Sequence, residues 1–148
     1  MEWIRGNYRI SDAREELDLY YVVPALQGTY WAPARSTELI EASIAASTCL
    51  GLYQGERQIG FARAVTDSVT FAWVCDVVVH PEFRGAGLGK WLTACVLEHP
   101  TVARCEQQLL RTRDAHGLYE QYGFRLVEAM QRRTDGSVPG AAAEPPSA

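Results

Sequence analysis

Apolar and polar positions change their spacing repeatedly along the chain, and each change marks an element. Tyr8 to Ser11 reads as a short strand. Asp18 then precedes Leu19, Val22, Val23 and Leu26, whose spacing is that of one helical face, so Asp18 is a candidate cap. Pro24 lies inside this stretch and predicts a kink or a later start, because proline has no N–H to give. Ser36 followed by Leu39, Ile40 and Ile44 predicts a second helix. Thr48 to Tyr53, Gln58 to Thr66 and Val69 to Val79 read as strands separated by Gln54-Gly55-Glu56-Arg57 and by Asp67-Ser68, which makes an antiparallel meander. A helix from about Gly87 to Glu98 follows, with a stripe of Leu88, Trp91, Leu92, Cys95 and Val96, and His99-Pro100 ends it. Gln107 to Thr112 is a further strand. Ala115 to Tyr122 is a short helix with Asp114 as cap and Gly123 as stop, and Phe124 to Val127 and Met130 to Thr134 read as strands. A meander followed by strand–helix–strand predicts an α/β (α+β) mixed sheet with helices on its faces.

Composition narrows the class without changing this picture. The 148 residues make one domain, and 47% hydrophobic with 22% charged residues is the composition of an ordinary globular chain with a sizeable core. From Asp135 to Ala148, Gly, Pro, Ala and Ser fill 11 of 14 positions, too little apolar surface to offset ordering entropy, so residues 135–148 are expected to form a flexible tail. A net charge of −4 gives no general attraction to nucleic acid or anionic lipid. Cys49, Cys75, Cys95 and Cys105 are isolated and only three histidines accompany them, so no metal site is expected and the thiols read as reduced core residues of a cytoplasmic protein. The first residues lack the apolar stretch of a signal peptide, and no apolar run reaches transmembrane length, so no membrane partner is expected.

The richest segment is Asp76 to Lys90: an apolar strand, a breaking proline at Pro81, then Gly85, Gly87 and Gly89 at alternate positions opening an amphipathic helix. The first N–H groups of a helix have no intrahelical partner and the macrodipole is positive there, so glycines that permit close approach make an anion site. Arg84 and Lys90 add formal charge, and a phosphate or pyrophosphate is the expected guest. A Walker loop needs Ser or Thr after Gly-Lys and a glycine where Arg84 stands, whereas Gly89-Lys90 is followed by Trp91. A Rossmann fingerprint needs its third glycine one residue later, in an opening βαβ unit. The bland alternative is a turn that only packs helix on sheet.

The remaining pattern, Arg-Gly-x-Gly-x-Gly after a strand and a proline, resembles the GNAT superfamily of N-acetyltransferases. Leu118-Tyr119-Glu120-Gln121-Tyr122-Gly123-Phe124 is similar to that family's Leu-Tyr-x-x-x-Gly-Phe segment, and the resemblance covers residues 8–134. It implies a GNAT-like acyl-CoA N-acyltransferase domain over residues 1–134, with a central, mostly antiparallel sheet between two helical layers. The donor would be acetyl-CoA, its pyrophosphate cradled by Arg84, Gly85, Ala86, Gly87, Leu88, Gly89 and Lys90. The backbone of Val77, Val78 and Val79 would pair with the pantetheine arm. Many members carry asparagine seven residues before the tyrosine as a further pantetheine contact; Thr112 stands there and is capable of a related bond. Tyr119 would be the general acid, the acceptor site would include Tyr30 and Trp31 of the Gly28–Arg35 loop, and a homodimer is possible.

Acetyl transfer to an amine needs a neutral nucleophile. A primary amine of pKa about 10.4 is neutral in only about one molecule per thousand at pH 7, so a base or water relay is useful. Asp76 interrupts the run Phe71 to Val79, where a carboxylate is costly unless paired or functional, so it is a candidate base or a structural partner for an arginine. Tyr30 and Trp31 suit a pocket wall or a cation–π contact, or else anchor the loop. Tyr122 reads as core and His116 as a solvated or capping residue. Cys75 and Cys95 lie in apolar patterns, which favours direct attack in a ternary complex over a covalent route. A non-catalytic acyl-CoA-binding sensor or assembly module is the alternative function. An acidic chain with aromatics in the acceptor loop favours a cationic small amine, with peptides also open.

Overall fold

The computed structural model describes residues 1–136. The expected 135–148 tail therefore lies outside the described residues except for its first two positions. Six strands follow one another across a single sheet in chain order: β1 (Glu2–Arg5), β2 (Tyr8–Ser11), β3 (Thr48–Gln54), β4 (Arg57–Thr66), β5 (Phe71–Val79) and β6 (Gln107–Leu110). Every neighbouring pair is antiparallel except β5–β6, which is parallel. The helices are α1 (Leu19–Gln27), α2 (Thr37–Ala45), α3 (Leu88–Glu98), α4 (Pro100–Ala103) and α5 (His116–Glu120).

The helices lie on two faces because the strands bury both. On one face α3 buries Leu88, Trp91, Leu92, Cys95 and Val96, the whole expected stripe, in a cluster with Ile10, Leu50, Leu52 and Val74. On the other face Val22 and Leu26 of α1 and Ile40 and Ile44 of α2 close over Cys49 and Phe61. Each such aliphatic side chain, fully withdrawn from water, contributes about 1.5–3 kcal/mol. The two caps behave as expected: Asp18 accepts from the Tyr20 N–H and Ser36 from the Leu39 N–H. Pro24 does not delay α1, which starts at Leu19 and runs through it. The one N–H it lacks would have bonded the carbonyl of Tyr20, a residue 95% exposed, where water has access.

Several elements depart from the sequence reading, and β6 ends at Leu110 rather than Thr112. Strand β1 was not anticipated; it pairs with β2 across a two-residue turn in which Gly6, at φ +56°, supplies the backbone that such hairpins need. Strand β5 begins at Phe71 rather than Val69, because the Asp67 carboxylate accepts from the N–H groups of Val69, Thr70 and Phe71 and holds them in a turn. His99-Pro100 ends α3 but starts α4, with the His99 side chain accepting from the Thr101 N–H. Asp114 does not cap α5: the cap position is Ala115, and its N–H donates instead to Thr112 Oγ1 at 2.9 Å. Phe124–Val127 and Met130–Thr134 form no strand, and Leu126, Val127 and Met130 are 87%, 65% and 104% exposed.

Candidate active site

The site grows from an irregularity in β5. Its register against β4 runs from Ala72 opposite Thr66 to Cys75 opposite Arg63, then resumes with Val78 opposite Phe61, so Asp76 and Val77 face the single residue Ala62. This is a β-bulge, and Asp76 adopts φ +53°, a left-handed conformation that Asp tolerates better than branched residues. The extra residue reverses the alternation. Ala72 and Val74 point to the α3 face before the bulge, whereas Val77 and Val79 do so after it, and Val78 packs on the α1–α2 face. Pairing with β6 ends just before the bulge, at Val74 opposite Leu110. From Cys75 to Val79 the second edge of β5 therefore has no strand neighbour among the described residues.

Asp76 is the fastener of this bulge. Its side chain is fully buried and both oxygens are occupied: Oδ1 accepts from Trp31 Nε1 and Arg35 Nη1, both at 2.9 Å, and Oδ2 accepts from Arg35 Nη1 and Arg63 Nε, both at 2.8 Å. Burial alone would raise the carboxyl, but the Arg63 and Arg35 guanidiniums win and hold it below the usual carboxylate range. Of the two roles the sequence leaves open for Asp76, these are the contacts of structural pairing. They also bring the Gly28–Arg35 loop to the sheet, assisted by Gln27 Nε2 donating to the Arg35 carbonyl. Arg35 and Arg63, which the sequence reading did not single out, stand 41 and 13 residues from Asp76. An arginine set among the apolar residues of β4 was the available signal.

Beyond the open edge lies the glycine turn. Gly87 caps α3 at φ +75° and, among the described residues, no side chain caps the helix, so its first N–H groups are left unshared. Gly89 is more telling. Its φ is not in the left-handed region, and an added Cβ would meet only Val79 Cγ2, at 3.8 Å. Neither backbone nor internal packing demands glycine at a helical position where it costs up to about 1 kcal/mol relative to alanine, and the space beside it is open to approach from outside. The turn thus fits a pyrophosphate on its own geometry. Arg84, Ala86 and Lys90 are exposed around it, Leu88 is buried beneath, and Gly85 takes φ +89°. Arg84 Nε donates to the Val79 carbonyl at 3.1 Å, so that edge acceptor is met by a side chain of the turn itself.

Tyr119 lies on α5. Burial pushes its phenol above the ordinary value, with the phenols of Tyr30 and Tyr122 adding to the shift, so it is protonated through neutral pH. Its ring packs edge-on against Phe124 at 5.9 Å, and it lines a cleft of about 840 Å³ with Trp73, Thr112 and His116. Thr112 already accepts from Ala115, leaving its hydroxyl proton for another partner. Tyr122 is not core: it is 37% exposed, and its hydroxyl donates to the Lys90 carbonyl, tying α5 to α3. Tyr30 and Trp31 are 52% and 41% exposed and meet edge to face at 5.0 Å, with the Arg113 guanidinium 3.9 Å above the Tyr30 ring.

All four cysteines are free, and burial pushes Cys75 up to about 11 and Cys49 and Cys95 up to about 12. Among the described residues, no helix is long and apolar enough to cross a membrane.

The comparisons with known proteins agree with this architecture. Residues 45–126, more than half of the chain, match the model of the acetyltransferase (GNAT) domain. A crystal structure from Xanthomonas campestris pv. campestris assigned to the GNAT family is 36% identical, with a TM-score of 0.82 over 87% of this chain and 94% of that one. A GNAT acetyltransferase from Elizabethkingia anophelis, solved with acetyl-CoA bound, shares the fold at 18% identity, with a TM-score of 0.65 over 84% of this chain and 80% of that one. A Gibberella zeae protein that carries the name of an acetyltransferase is 28% identical over 110 residues, 61% of this chain. The match spans 62% of that curated relative's length. The chain belongs to the GNAT acetyltransferase family.

Proposed function

We propose that this protein transfers the acetyl group of acetyl-CoA to a primary amine by direct attack in a ternary complex. The observation that carries the reading is the split in the sheet. The unpaired edge Cys75–Val79 offers main-chain groups to a pantetheine arm as an added strand would, and it leads to the uncapped N-terminus of α3, where Arg84, Gly85, Ala86, Gly87, Leu88, Gly89 and Lys90 would hold the pyrophosphate. Acetyl-CoA, when bound, supplies the thioester electrophile.

In this reading Tyr119 donates a hydrogen bond, and in the limit its proton, to the departing thiolate. A thiolate has a reference pKa of about 8.5 against about 10 for a phenol, so that bond strengthens as negative charge forms on sulfur. The raised phenol keeps the proton available. Asp76 is not assigned the base, since its lone pairs already serve three donors; it positions the bulge and the acceptor loop. The amine attacks in its neutral form and sheds its proton to solvent. Poorly ionised thiols at Cys49, Cys75 and Cys95 favour this single transfer over an acyl-cysteine route.

The test is thiol release from acetyl-CoA with a panel of amines, amino acids, polyamines and short peptides, against an acceptor-free control. Acceptor-dependent release that falls in Tyr119→Phe is the expected result. Tight coenzyme binding without release for any acceptor overturns the enzyme in favour of an acyl-CoA-binding module.

A further inference from the structure

The acceptor loop is fastened by charge, and the charges do not cancel. Two guanidiniums, Arg35 and Arg63, converge on the single carboxylate of Asp76, leaving an excess positive charge beneath Trp31. Arg63 is largely enclosed and also donates to Ser47 Oγ. Arg35 reaches Asp76 through Nη1 alone, and its Nε and Nη2 have no hydrogen-bond partner among the described residues.

A third guanidinium is joined to this pair through the loop's aromatics: Tyr30 meets Trp31 edge to face at 5.0 Å, and Trp31 donates to Asp76. Arg113 lies over the Tyr30 ring, so the aromatic face that suited a cationic acceptor is already covered by a cation of the protein itself. Among the described residues, its one ion pair is with the adjacent Asp114, at 3.5 Å, with both side chains well exposed. Arg113 belongs to the loop between β6 and α5, and Tyr30 belongs to the loop between α1 and α2. The two loops therefore meet through this contact, beside Tyr119, whose phenol feels that of Tyr30.

An acceptor bearing several ammonium groups would have to displace Arg113, face Arg35 and find Asp76 fully engaged. An acceptor with an anion beside its amine meets the opposite situation. We propose that the amine acceptor carries a carboxylate or phosphate close to its nitrogen, and that Arg113, backed by the excess charge at Arg35, binds that anion. The proposal rests on the transferase reading above and reverses the cationic preference that net charge and aromatic content suggest.

The test compares matched acceptors, with rates referred to the free amine: ethanolamine against O-phosphoethanolamine, 2-phenylethylamine against phenylalanine, and spermidine as the polycation. In the wild type the anionic member of at least one pair is favoured about tenfold or more in kcat/KM, and the pair that responds tells phosphate from carboxylate. In Arg113→Ala the ratio within that pair falls to about one, and Arg113→Lys keeps about a threefold preference. Damage to the fold alone would lower both members and leave their ratio intact. Equal or better use of the amines that lack an anion, or of spermidine, overturns the anion site and leaves the transferase standing. Absence of turnover with every acceptor, while acetyl-CoA still raises the melting temperature, overturns the anion site too. Loss of that thermal shift overturns both readings together.

Discussion

Phe71–Val74 and Cys75–Val79 belong to one strand, are similarly apolar and have opposite fates. The first half is paired on both sides, with β4 and β6, and its buried residues Ala72 and Val74 belong to the core. The second half keeps β4 and has no second strand among the described residues. One residue in a left-handed conformation separates them, and one buried carboxylate stabilises it. The difference shows that a bulge can divide a strand into a half that maintains the sheet and a half left open to a ligand.

Removing the boundary has the largest expected effect. Asp76→Ala leaves Arg35 and Arg63 without their buried partner and is expected to cost about 3–5 kcal/mol in denaturant unfolding. Because the folded Asp76 carboxyl is held below its unfolded value of about 3.9, its contribution is complete above that pH and is lost as pH falls through the lower, folded value. The stability gap between wild type and Asp76→Ala should therefore narrow in acid, below about pH 4. A full-stability Asp76→Ala variant that has lost turnover would instead restore the base role.

On the open side, Tyr119→Phe should lower kcat by about a hundredfold with little change in melting temperature. The wild-type alkaline limb, if Tyr119 sets it, should fall above the ordinary phenol value of about 10, because burial raises that group. On the paired side, Val74→Ala should do the reverse, costing about 2 kcal/mol of stability while the KM for acetyl-CoA stays put. Smallest, and most pointed, is Gly89→Ala. The helix should gain up to about 1 kcal/mol while the KM for acetyl-CoA rises, since the new methyl fills space that nothing inside the protein occupies. A tighter coenzyme complex in Gly89→Ala would remove the argument that this space is kept for a ligand.

The sequence exposed those features whose causes are local. Caps at Asp18 and Ser36, the α3 stripe and the glycine turn each depend on residues a few positions apart, and each lies where the pattern puts it. The bulge was not legible. Alternation predicts an unbroken strand through Asp76, and the arginines that hold the left-handed turn come from another strand and another loop. The end of the chain fails for a similar reason. Phe124–Val127 has a strand's composition, but a strand needs a register with a neighbour, and Leu126 and Val127 remain in water. Asp114 precedes a helix as a cap should, yet Thr112 reaches the Ala115 N–H instead, a competition between neighbours that residue preference does not resolve.

An unpaired edge rich in valine is also a place where a strand of another chain can add. Here the bulge bends that edge and Arg84 occupies the Val79 carbonyl, two of the means by which natural sheets discourage such addition. Coenzyme bound along the same edge would complete the protection, so light scattering on mild heating should develop later with coenzyme A present than without it. Occupancy of this site would then govern colloidal behaviour as well as chemistry: a chain depleted of its coenzyme would be the one most prone to self-association.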